Sequence, residues 1–203
     1  MCSSMAEQPV EQQGARPATA VVPPVPVRHF VPKHNQIALL DETVRGAEDY
    51  AQIMQFLRRS RIAYAIFENV QQVNSSIHDF WQTARSVNNT VEATINDTLI
   101  VITEDVIHAA LHSGALDHGE TCYSKLIRER ATIAFGYVGR FPSKQLYKGM
   151  LMDQWRYFYH VLMQCLAPRK SGMDGMGHNL LSAMIGLTFN QPYNFSLMIL
   201  RAF

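Results

Sequence analysis

The stretch MDQWRYFYHVLMQCL, residues 152–166, decides how the rest of the chain is read. Trp155, Phe158, Tyr159, Leu162 and Leu166 fall at i, i+3, i+4, i+7 and i+11, one stripe of an α-helix. Aromatic side chains bury the most area, so this stripe is expected to anchor the core. Arg156, His160 and Gln164 lie off it, on a wetter face. Pro168 lacks the N–H needed to continue and is expected to stop the helix.

Toward the C-terminus, RKSGMDGMG (169–177) is too glycine-rich to be regular. Leu180, Leu181, Met184, Ile185 and Thr188 then mark another helix. Asn194 reads as the N-cap of a last one over 195–203, still apolar where the sequence stops, as a fragment or truncated reading frame would be.

Toward the N-terminus, Leu126, Ile127, Ile133 and Ala134 predict a helix over 121–135, ended by Gly136 and Gly139. Residues 140–149, with Pro142, form a connector. Thr103 reads as an N-cap, with Glu104 and Asp105 in the positive first turn, Ile107 and Leu111 facing inward, and Gly114 at the end. Val91, Ala93 and Ile95 alternate up to Asn96-Asp97, and Leu99 and Val101 follow, which predicts a β-hairpin. Val73, Ile77, Phe80 and Trp81 have helical spacing up to Arg85. Ile62, Tyr64 and Ile66 alternate like a short strand. Tyr50, Ile53, Met54 and Leu57 are helical again, with Arg58, Arg59 and Arg61 complementing the helix dipole at the C-terminal end.

An apolar lead-in at Ile37, Leu39 and Leu40 precedes Gly46. Residues 1–33 are dominated by Gln, Ala, Pro and Val, and VVPPVPV (21–27) favours extended polyproline geometry. The expectation is therefore a mainly α, multi-helix domain over 34–203, about six helices with one small β-hairpin, behind a disordered Pro-rich tail over 1–33.

Two hundred and three residues suit one domain plus a tail, and 47% hydrophobic content supplies a core. A formal charge of +1 excludes a global field that would recruit nucleic acid or an anionic membrane. The cysteines are three, Cys2, Cys122 and Cys165, odd in number and without metal spacing, which fits a reducing compartment. No basic segment followed by an apolar run opens the chain, and no apolar run reaches the roughly 20 residues that span a bilayer. An intracellular protein of the cytoplasm or nucleus is expected, without membrane contact.

His108 and His112 are four apart, and His118 follows, so the three could hold zinc in a hydrolase. A metalloprotease needs Glu directly after the first His, and Ala109 stands there. The Gly172 to Gly177 loop follows Arg169 and Lys170, but a phosphate loop needs a preceding strand and a closing Lys-Ser or Lys-Thr. Cys165 sits in an apolar helix, where a thiol is packing rather than a nucleophile for His160 or His178. Arg58, Arg59, Arg61, Arg128, Arg130 and Arg140, with Lys144 and Lys148, would form a nucleic-acid surface if they converged. Met150, Met152, Met173 and Met176 offer an adaptable contact surface or core filling. The expectation is no catalytic residue, metal, cofactor or small-molecule substrate.

Seven blocks in order carry a resemblance: HNQIALLD (34–41), IMQFLRRSRIAYAI (53–66), IHDFWQTAR (77–85), VEATINDTLIVITEDVI (91–107), AFGYVG (134–139), QWRYFYHVLMQCLAPRKSG (154–172) and LLSAMIGLTFNQPYNFSLMI (180–199). Their order resembles a plant retrotransposon-associated domain. In copia-type elements it lies downstream of the ribonuclease H region of the Pol polyprotein, or forms a separate derived reading frame. The resemblance brings no catalytic residues with it. It implies a non-enzymatic, retroelement-derived protein that associates with itself or with another element component. The chain differs from the polyprotein context in opening with its own Met and a Pro-rich leader.

Overall fold

A computed structural model describes residues 47–68, 73–139, 146–166 and 174–203. The expected tail, the lead-in near Ile37, Pro168 and most of the glycine loop lie outside them. Among the described residues the chain forms eight α-helices: α1 (Ala51–Arg59), α2 (Ala63–Phe67), α3 (Asn74–Thr83), α4 (Glu104–Leu111), α5 (Lys125–Ala134), α6 (Asp153–Leu166), α7 (His178–Thr188) and α8 (Phe195–Leu200). Strands β1 (Arg85–Val87), β2 (Thr90–Ile95) and β3 (Thr98–Ile102) make an antiparallel meander. A second, two-residue ladder pairs β4 (Leu146–Tyr147) with β5 (Gly175–Met176). The fold is mainly α, as the periodicities predict.

The α6 stripe faces the interior. Phe158, Tyr159 and Leu162 have no exposed surface, and Val161 and Met163 are buried beside them. The half-buried Trp155 ring lies 4.5 Å from that of Phe135, while Phe56 meets Phe158 edge-on at 5.5 Å. The Tyr159 hydroxyl accepts the Gly177 N–H at 2.8 Å, so its polar end is satisfied inside the core. The rings thus hold neighbouring segments together.

The helix at the centre is α7, not α6. Every residue over 180–187 is buried, as befits a helix that is apolar or small all round. Gly186 permits a close approach to α7. A Cβ there would stand 2.7 Å from Tyr193 Cβ, 3.2 Å from an Arg61 guanidinium nitrogen and 3.2 Å from the Tyr123 hydroxyl. Contact at that range outweighs the roughly 1 kcal/mol that glycine costs a helix interior relative to alanine.

Several local expectations are corrected, among them the irregular reading of 169–177 and the connector over 140–149, which contribute the two strands of the β4–β5 ladder. The alternating Ile62, Tyr64 and Ile66 belong to a helical turn; Ile62 and Ile66, four apart, are both fully buried. Three residues are too few to separate the two periods. The hairpin gains a third strand, because Asn88-Asn89 turn the chain as Asn96-Asp97 do, with φ of 47° and 62° against 47° and 60°. These left-handed pairs are the type I′ turns that Asn and Asp tolerate. His112, at φ 53°, makes the left-handed end of α4 ahead of Gly114. The last helix stops at Leu200, where the Arg201 and Ala202 N–H groups bond back to the Leu197 and Ile199 carbonyls.

The expected caps at Thr103 and Asn194 accept the Val106 and Leu197 N–H groups. Ser124 caps α5, so that helix starts at Lys125 rather than at 121. A smaller cluster of Val91, Ile107 and Leu200, joined by Phe80, Ala84 and Ile102, ties the sheet to α4 and α8. Leu111 and Ile199 touch both this cluster and the main core. No helix among the described residues is long and apolar enough to cross a membrane.

Candidate interaction site

The most concentrated polar chemistry surrounds Asp117, a buried carboxylate in the loop after α4. One oxygen accepts the Phe195 and Ser196 N–H groups at 2.5 and 3.3 Å, at the start of α8. The other accepts the hydroxyls of Ser113, at 2.5 Å, and of Ser196, and lies 3.0 Å from His108 Nδ1. Burial opposes ionisation, yet the bonds from Ser113, Ser196 and His108 outweigh it and hold the carboxyl below its ordinary range. Next to it, Arg61 donates to the Leu116 and Gln191 carbonyls at 3.2 and 2.6 Å and lies over the Phe195 ring.

Serine, histidine and aspartate are the members of a hydrolytic triad, but they are wired differently here. A triad needs serine on one imidazole nitrogen and aspartate on the other. Ser113 and Asp117 both approach Nδ1, and the Ser113 hydroxyl donates straight to the carboxylate. The cluster caps α8 and fastens it to the α4 loop. Its partners stand up to 79 positions apart, so no local pattern announces it.

The described candidates from the sequence either have partners within the fold or stand exposed. His108 is tied to Asp117, His112 stacks on Tyr64 at 4.3 Å, and His118 is exposed. Among the described residues no three His, Cys, Asp or Glu side chains are grouped to hold a metal ion. Burial raises the Cys165 thiol to about 12, which keeps it protonated. Arg58, Arg59 and Arg130 are all exposed, and Arg58 lies over the Phe67 ring. Arg61 is committed as described, and Arg128 donates to the Tyr123 carbonyl and, at 3.0 Å, to the Cys122 sulfur. Arg140 and Lys144 lie outside the described residues.

What stands open is apolar. β3, TLIVI, is an edge strand of the order β1-β2-β3, and Leu99, Ile100 and Val101 are exposed on it, Leu99 to 60%. The type I′ turn makes Ile95 and Thr98 a hydrogen-bonded pair, and the alternation continues at Ala93 with Ile100 and Val91 with Ile102. The N–H and C=O of Leu99 and Val101 therefore point away from β2. Thr94, opposite Leu99, shows the same alternation from the other side: its N–H turns to the Thr83 hydroxyl at 2.8 Å. No partner among the described residues takes the outer edge of β3.

A groove lies nearby, lined by Val73, Ser76, Ile77, Phe80, Trp81, Ile95 and Phe203, with a volume of about 460 Å³. Phe80 meets Trp81 and Phe203 edge-on, at 5.1 and 5.8 Å. Spacing flags Phe80 and Trp81, whereas Phe203 joins them only through the return of the last helix. No family model, curated protein or solved structure matches the chain.

Proposed function

We propose that this chain is a non-enzymatic association module derived from a retroelement, and that it associates with a second copy of itself along the outer edge of β3. The blocks quoted from the sequence support the origin. The association rests on one observation, the outward-facing backbone groups of Leu99 and Val101 on an exposed apolar strand. Edge strands in monomeric proteins are blunted with Lys, Pro, a bulge or an inward charge, and TLIVI has none of these.

The strand is self-complementary. A second copy laid antiparallel with Ile100 opposite Ile100 sets each Leu99 against the other Val101, and each such pair exchanges both of its hydrogen bonds. In that register Asp97 falls opposite Thr103 and Asn96 opposite Glu104, so no like charges meet. Light scattering after size exclusion tests the reading. Mass is expected to rise from monomer toward dimer with concentration, and Leu99→Lys with Val101→Lys to return it to monomer. A wild-type monomer at every concentration overturns the reading. The nucleic-acid alternative is the weaker one, because the Arg61 and Arg128 guanidinium groups are turned to carbonyl and sulfur acceptors of the fold itself.

A further inference from the structure

The aromatic groove beside α3 is a separate feature from the β3 edge, and its chemistry matches a segment of this same chain. We infer that it holds the chain's own proline run, VPPVPVR (22–28), as a left-handed polyproline helix. Such a helix has no internal hydrogen bonds and a preset backbone, so it loses little entropy on docking and presents its rings to aromatic ridges. Phe80, Trp81 and Phe203 supply those ridges, with Ile77, Ile95 and Val73 between them and Ser76 the one polar lining residue. Trp81 is 63% exposed, so much of its side chain is open to a ligand.

Spacing and charge both fit. Polyproline geometry has three residues per turn, so Pro23 and Pro26 project from one face. Arg28 follows two positions on, and no acidic residue occurs over 21–35. The groove has acids at its Ile95 end: the Asp79 carboxylate accepts the Asn96 N–H at 3.4 Å, and Asp97 comes next in the turn. Reach is ample. The 18 residues over 29–46 link Arg28 to Ala47, where the described chain begins, and extend to roughly 60 Å. A domain of this size has a radius of gyration of only about 15 Å.

The test uses the whole chain labelled with 5-fluorotryptophan, which gives one fluorine resonance for Trp81 and one for Trp155, assigned with Trp81→Phe. Removing residues 1–33 is expected to shift the Trp81 resonance and leave Trp155 in place. A peptide of residues 19–33 restores the original position saturably. Pro23→Ala with Pro26→Ala in the full chain reproduces the removal, at every protein concentration. A Trp81 resonance indifferent to truncation, peptide and both substitutions overturns the inference. A shift that depends on protein concentration overturns it equally, because the run would then come from a neighbouring molecule.

Discussion

LLSAMIGL in α7 and TLIVI in β3 are similarly apolar segments with opposite fates: the first is wholly buried, the second largely exposed. Composition alone does not decide which is which. α7 has small residues, Ser182, Ala183 and Gly186, that let other elements close on every side of it. β3 ends a three-stranded sheet, so among the described residues one row of its backbone groups has no neighbouring strand. A buried apolar segment holds the fold, and an exposed one at a sheet edge is the surface that the proposed self-association would use.

Substitutions on the two sides should differ sharply, and urea unfolding measures each. Asp117→Ala removes the acceptor for two hydroxyls and two N–H groups at the start of α8. It is expected to cost about 4 kcal/mol, since buried donors left unpaired keep their full desolvation penalty. Because its carboxyl titrates lower when folded, Asp117 stabilises fully above the unfolded value of about 3.9, and this is lost as pH falls through the folded value. The midpoint temperature should therefore drop steeply below about pH 4, and less steeply in Asp117→Asn.

Leu181→Ala, in the centre of α7, is expected to cost about 3 kcal/mol through the cavity it opens. Gly186→Ala should cost about 2 kcal/mol despite the better helix propensity, because Tyr193 Cβ cannot yield as a flexible side-chain tip can. Leu99→Ala should stay within about 0.5 kcal/mol of wild type. A Leu99 effect as large as that of Leu181 would place β3 in a core and erase the contrast.

Much of the fold is legible in the sequence where periodicity runs long. The α6 stripe and the caps at Thr103 and Asn194 follow from spacing and from side-chain oxygens placed before a helix. Alternation over Ile62, Tyr64 and Ile66 misleads because one helical turn also sets Ile62 and Ile66 on one face. Asn88-Asn89 announces its turn as clearly as Asn96-Asp97 does, but β1 is only three residues long and polar, so no alternation accompanies it. The Asp117 cluster and the place of Phe203 in the groove depend on residues far apart in sequence, and no local signal encodes either. The β3 edge falls between these cases. TLIVI is visible as a strand, but that it ends the sheet follows only from the pairing order.

The most direct test of β3 as a contact strand is amide hydrogen exchange, followed residue by residue at rising protein concentration. Ile100 and Ile102, already bonded to β2, should exchange at rates independent of concentration, whereas the Leu99 and Val101 amides should pass from rapid exchange at dilution to protection as a second copy adds. Leu99 and Val101 rates that never change with concentration, or that are slow even at high dilution, would contradict an open edge that pairs with its own kind.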